Sequence, residues 1–143
     1  MVSAVTRRSP PDTALAGLDI VGLGVDLCDV DRMRQALERT PSLRQRVFTE
    51  DERAYCDRRR DPAERYAVRF AAKEAVLKAM GVGLGACALR DIEVVRASSG
   101  APSLALRASA AGVAAERGIV AWQISLTHTD TLAQATVLAL GAS

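Results

Sequence analysis

From Leu18 the chain alternates: Val21, Leu23, Val25 and Leu27 take one face of an extended segment, and Ile20, Gly22, Gly24 and Asp26 take the other. This predicts a strand whose branched face meets the core and whose second face is bare backbone leading to a carboxylate, with space for a ligand or another backbone over the glycines. Helical spacing follows at Val30, Met33 and Leu37, and Thr40-Pro41 ends that helix at about residue 39. Thr49-Glu50-Asp51-Glu52 reads as a capping box opening a second helix that dissolves in the run Arg58-Arg59-Arg60.

A long central helix is predicted from Pro62 to Met80, with Asp61 as N-cap and Gly81 in the left-handed position past its end. Tyr66, Phe70 and Leu77 lie within about 40° of one another at 100° per residue and mark its buried stripe. Residues 91–96 and 103–107 alternate around the turn Ala-Ser-Ser-Gly-Ala-Pro and predict a hairpin. An alanine-rich helix over 108–117 and two strands, about 122–127 and 132–140, complete the pattern. Strands and helices do not alternate as a parallel doubly wound sheet requires. The fold class is therefore α+β, one small domain with a mainly antiparallel sheet packed on the long central helix. Residues 1–16, broken by Pro10-Pro11, read as a flexible extension, and 17–143 as the domain.

Composition narrows the function. The chain has 143 residues, 49% of them hydrophobic, which is enough for one core. No apolar run approaches the roughly 20 residues of a membrane span, and the first residues lack a secretory apolar stretch, so a cytoplasmic location is expected. Cys28, Cys56 and Cys87 are too widely spaced for a zinc knuckle or a redox pair and read as reduced thiols. Net charge is only +2, yet eleven arginines fall between Arg32 and Arg69. Aromatics at 3% argue against a base-stacking nucleic-acid platform. The basic half better suits a phosphate-rich small ligand or an acidic protein.

Two carboxylates stand out. Glu74 flanks the apolar stripe of the central helix and Asp26 ends the glycine face of the first strand. Each has an ordinary reading, Glu74 as an i, i+4 pair with Lys78 and Asp26 as a helix cap. Together, on rigid elements with lysines near, they suit a Mg²⁺ ion that completes its shell from water and a substrate diphosphate. His128, the only histidine, follows a strand end and reads equally as a structural hydrogen-bonding group.

Four blocks carry a family resemblance. Gly22-Leu23-Gly24-Val25-Asp26 with Asp31-Arg32 resembles the opening of the holo-acyl-carrier-protein synthases, and Arg69-Phe70-Ala71-Ala72-Lys73-Glu74-Ala75 with Lys78-Ala79 is similar to their central signature. Asp91-Ile92-Glu93-Val94 resembles their third block, and Ile124-Ser125-Leu126-Thr127-His128-Thr129 their last. The resemblance implies a 4′-phosphopantetheinyl transferase that uses Mg²⁺ and moves phosphopantetheine from coenzyme A to an acyl carrier protein serine. It implies Asp26, Glu74 and Lys78 as catalytic residues, with Asp26 and Glu74 as metal ligands. Arg69, Lys73, His128 and Thr129 would contact coenzyme A, with His128 and Thr129 lining the other wall of the cleft.

The resemblance also implies a homotrimer with active sites between subunits, and docking of the acidic carrier protein on Arg32 and Arg39, which share a helix face while Arg34 points elsewhere. The serine's base stays open among Glu74, a metal-bound water and a lysine of lowered pKa. Two departures are expected to matter: Gly100-Ala101-Pro102 lacks the family's basic turn residue, removing a phosphate contact, and Leu77 replaces a small residue, narrowing the cleft. A carrier-docking module without turnover is the alternative, disfavoured by the intact Asp26, Glu74 and Lys78.

Overall fold

The computed structural model describes residues 15–143, so the extension expected over 1–16 falls almost wholly outside the described residues. In chain order the elements are β1 (Leu18–Asp29), α1 (Val30–Arg39), α2 (Leu43–Val47), α3 (Glu50–Cys56) and α4 (Ala63–Ala79). They continue with β2 (Ile92–Arg96), β3 (Pro102–Leu106), α5 (Ala108–Glu116), β4 (Ile119–His128) and β5 (Leu132–Ala142). Strand β5 lies between β1 and β4, antiparallel to both, and β2–β3 form a separate antiparallel hairpin. This is the expected α+β architecture, with short α2 added between α1 and α3.

Local chemistry accounts for the ends of the helices. Thr49 accepts from the Glu52 backbone N–H while Glu52 accepts from that of Thr49, completing the capping box of α3. Gly81 closes α4 at φ 72°, a left-handed conformation that favours glycine. Pro62 holds the N-cap position of α4, and Asp61 caps it only weakly, accepting from the Ala63 N–H at 3.4 Å while its carboxylate is taken up mainly by Arg34 at 2.6 Å.

Helix α4 lies across the sheet against β1 and β5 and is buried on nearly every side. On β5 it meets Ala133, Ala135, Val137 and Ala139, all fully buried. On β1 it meets the glycines: a Cβ on Gly22 would stand 2.0 Å from the Ala79 carbonyl oxygen, and one on Gly24 1.8 Å from that of Ala75.

The two faces of β1 are thus reversed relative to the sequence expectation. Gly22 and Gly24 face the core because only a strand without side chains admits the helix backbone, and the occupant of the space above them is α4. Val21, Leu23, Val25 and Leu27 point outward, between 45% and 60% exposed. Period-two alternation separates faces without saying which one the same chain covers.

Candidate active site

β1 runs opposite to α4, with Gly22 against Ala79 and Gly24 against Ala75, so Asp26, two residues further on, emerges near Glu74. There Lys78 Nζ donates to Asp26 Oδ1 at 2.9 Å and to the Val25 carbonyl at 2.9 Å. Glu74 stands one turn earlier. Its carboxyl is pushed above the usual range first by burial and then by the negative charge of Asp26, with Lys78 partly offsetting both. Lys78 pairs with Asp26 and only partly offsets the charge on Glu74, leaving a negative excess that a dication would relieve. Among the described residues no three His, Cys, Asp or Glu side chains gather as a metal site. A cation held by Asp26 and Glu74 needs further oxygen ligands from outside the chain, which fits Mg²⁺ better than a metal enclosed by protein ligands.

Lys73, the neighbour of Glu74, does not belong to this cleft. It is fully buried, donating to Glu52 Oε1 at 2.8 Å and to the carbonyls of Leu89 and Ile92. Glu52 Oε2 also accepts from the Val94 N–H, so one ion pair ties α3, α4 and β2 together. The expected contact of Lys73 with coenzyme A is therefore corrected: burial lowers its pKa, yet the ammonium is enclosed and has no path to a phosphate or a substrate proton. Leu77 is likewise core rather than cleft, 1% exposed, and Phe70 is only half-buried, leaving the predicted stripe at its middle.

His128 and Thr129 lie on the other side of α4. β1 and β4 are the outer strands of the sheet, about 10 Å apart across β5, and α4 lies over the middle. His128 Nδ1 sits 3.3 Å from Glu64 Oε1, near the start of α4, whereas Asp26 pairs with Lys78 of its last turn. Within one chain these residues do not form the second wall of the carboxylate cleft. The Thr129 hydroxyl accepts from the Thr131 and Leu132 N–H groups and shapes the β4–β5 turn. His128 instead borders a cleft of about 450 Å³ lined by Arg59, Arg65, Arg69, Arg96 and Tyr55.

On α1, Arg32 and Arg39 are exposed, while Arg34 is bound to Asp31 and Asp61. Arg32 borders an apolar groove of about 360 Å³ formed by Leu27, Met33, Ala36, Leu43 and Phe70. All three cysteines are free thiols, and Cys28, beside Asp26, is pushed up to about 11, chiefly by burial. It is a poor nucleophile at neutral pH.

Sequence reasoning missed the wider roles of Glu52 and Glu93. Glu93 accepts from the Thr49 hydroxyl and from Arg107 at 2.9 Å, and both oppositions fall across elements distant in sequence. The available signal was a glutamate inside the apolar strand Ile92-Glu93-Val94, a position that demands a partner.

A half-buried carboxylate pair with an exposed lysine on one side of a helix, and an arginine-lined cleft on the other, suit an enzyme that handles a phosphorylated substrate. A family model described as the 4′-phosphopantetheinyl transferase superfamily matches residues 22–136. The holo-[acyl-carrier-protein] synthase of Desulforudis audaxviator is 49% identical over 125 residues, 87% of this chain and 95% of that protein. The holo-ACP synthase of Plasmodium yoelii superposes with a TM-score of 0.79 at 32% identity, over 89% of this chain and 99% of that one. The holo-(acyl-carrier-protein) synthase of Bacillus anthracis, in complex with CoA, superposes with a TM-score of 0.71 at 30% identity, over 86% and 98%. The chain belongs to the 4′-phosphopantetheinyl transferase superfamily and, within it, to the holo-[acyl-carrier-protein] synthases.

Proposed function

We propose that this chain transfers 4′-phosphopantetheine from coenzyme A to a serine of an apo acyl carrier protein in a Mg²⁺-dependent reaction that releases adenosine 3′,5′-bisphosphate. The observation that carries the reading is the grouping of half-buried Asp26 and Glu74 with exposed Lys78, in a chain whose relatives are holo-acyl-carrier-protein synthases. The serine Oγ forms a bond to the β-phosphorus, the bond from that phosphorus to the bridging oxygen breaks, and the serine proton passes to a base. Asp26 and Glu74 hold the metal, which when bound neutralises charge on the diphosphate. Lys78, 53% exposed, is free to turn its ammonium toward the departing phosphate, where electrostatic stabilisation lowers the barrier.

The active site is shared between subunits of a homotrimer. The supporting observations are the outward apolar row Val21, Leu23, Val25 and Leu27, and the separation of His128 from Asp26 by α4 in one chain. A second copy seated on that row would cover it and bring its own carboxylates to the arginine cleft. The carrier protein docks on Arg32 and Arg39, with the neighbouring groove receiving apolar side chains. The reaction takes place in the cytoplasm, in keeping with the absence of any helix among the described residues long and apolar enough to cross a membrane.

The deciding experiment incubates the protein with coenzyme A, Mg²⁺ and a panel of apo carrier proteins, read by mass. One phosphopantetheine is expected on a carrier serine and none in excess chelator; full transfer in chelator would remove the metal from the reading. Light scattering is expected to give three times the chain mass, and a fully active monomer would overturn the shared site.

A further inference from the structure

Helix α1 is seated on one narrow apolar stripe. Val30, Met33 and Leu37, all buried, fall within about 60° of one another at 100° per residue, and they pack chiefly against α4. The two flanks of the stripe face different clefts. Beyond one edge come Ala36 and then Arg32 and Arg39, and on that side Met33, Ala36 and Arg32 border the apolar groove with Leu43 and Phe70. Beyond the other edge comes Arg34, about 40° past Val30. With Leu37 it lines a separate cleft of about 290 Å³ whose far side holds Asp61 and Pro62.

Arg34 closes that second flank with a fork. Its Nη2 donates to Asp61 Oδ2 at 2.6 Å and its Nε to Asp61 Oδ1 at 3.3 Å, while Nη1 donates to Asp31, one turn back on α1. The hydrogen bonds from Arg34 hold the Asp61 carboxyl below the usual carboxylate range. Asp61 itself is tied to the start of α4, being next to Pro62 and accepting from the Ala63 N–H at 3.4 Å. The fork thus crosses from α1 to the element on which α1 rests. A ten-residue helix seated on three side chains resists being lifted better than it resists rolling about its own axis. Rolling would carry Arg32 and Arg39 sideways and change the width of the groove beside them. A contact on the flank opposite the groove opposes that roll, and two parallel hydrogen bonds fix orientation as well as distance, which a lysine would not.

We propose that Arg34 and Asp61 are positioning residues for carrier-protein recognition: their fork sets the roll of α1 and so presents Arg32, Arg39 and the groove in the orientation that the carrier meets. The inference rests on the docking of the carrier on α1 proposed above. Arg34 and Asp61 act through the helix without touching the carrier, and they spare it the cost of ordering that helix as it binds. Asp61 is 60% exposed, and exposed ion pairs add little to stability, so the effect belongs to recognition and not to folding.

The test is steady-state transfer by the full chain with Mg²⁺, coenzyme A and apo carrier protein, comparing wild type with Arg34→Gln, Asp61→Asn and the double variant. Each single substitution is expected to raise the KM for carrier protein about threefold, with kcat, the KM for coenzyme A and the melting temperature nearly unchanged. The double variant is expected to be no worse than either single one, because both substitutions break the same contact. Asp61→Asn decides between positioning and direct contact. It removes an anion and frees the guanidinium, so an Arg34 that gripped the acidic carrier itself would bind it better in this variant, and a lowered carrier KM overturns the proposal. An unchanged carrier KM in both single variants, or an equal rise for both substrates, overturns it too. Arg32→Glu keeps the two levels apart: if it leaves the carrier KM unmoved, docking on α1 falls. If it raises that KM while Arg34→Gln and Asp61→Asn do not, the positioning role alone falls.

Discussion

Helix α4 carries two lysine–carboxylate pairs five residues apart, Lys73 with Glu52 at 2.8 Å and Lys78 with Asp26 at 2.9 Å. Their lengths match and their surroundings do not. The first pair is fully buried and its ammonium reaches two backbone carbonyls besides; in the second, Lys78 is half-exposed and Asp26 stands near a second carboxylate, Glu74, whose charge opposes its own. Burial decides what each pair can do. Inside, separation of the charges is so unfavourable that the pair fixes α3 and β2 on α4. At the surface water screens the attraction, so the same chemistry can be rearranged when a ligand enters.

Removing one partner of each pair should separate these roles. Lys73→Ala leaves Glu52 buried without its cation and is expected to destabilise the fold by about 3–5 kcal/mol, read by urea unfolding. A loss below about 1 kcal/mol would make it no different from a surface pair. At the other pair, Asp26→Ala is expected to cost about 10²–10³-fold in transfer, the scale of losing one electrostatic contact to the transition state, with the unfolding midpoint nearly unchanged. Equal damage to stability and turnover at both sites would erase the distinction.

Docking sharpens the comparison on the exposed side. Arg32→Glu is expected to raise the KM for carrier protein about tenfold, and rising salt should slow association of the wild type, with the KM for coenzyme A unmoved. Equal effects on both substrates would place Arg32 in the coenzyme A site instead.

The smallest effect concerns Glu74 in metal-free protein. Its folded-state pKa is raised, so its contribution to stability is present below the ordinary glutamate pKa and is lost as pH rises through the folded value. At neutral pH the ionised carboxylate is therefore unfavourable, and Glu74→Gln is expected to melt slightly higher than wild type in chelator. The advantage should vanish in mild acid. A lower melting temperature for the variant at pH 7 would reverse the sign.

Local signals in the sequence were read well where they were self-contained. The capping box at Thr49, the end of α4 at Gly81 and the hairpin turn each depend on residues a few positions apart. The carboxylate pair was also legible, because the resemblance joins Asp26 to Glu74. The place of Lys73 is not legible locally, since its partner, Glu52, lies 21 residues away and has a sufficient local role in the capping box. The faces of β1 are reversed because hydrophobicity marks what avoids water without marking what covers it. The motifs place His128 and Asp26 at one cleft, and only the strand order shows that α4 stands between them. The short helix α2 has too few residues to display a period.

The close seating of α4 on Gly22 and Gly24 makes the strand and helix act as a fixed gauge for the site. Core side chains can change rotamer and absorb a small misfit, but a carbonyl oxygen against a Cα has no such slack. Ala75 is adjacent to Glu74, and Gly24 lies two residues before Asp26, so that single main-chain contact sets how far apart the two carboxylates stand. Drift elsewhere in the core can therefore leave the spacing untouched, whereas one methyl group at Gly24 must lift the helix and open the gap. The tolerance of the carboxylate pair is set by an atom that position 24 does not have.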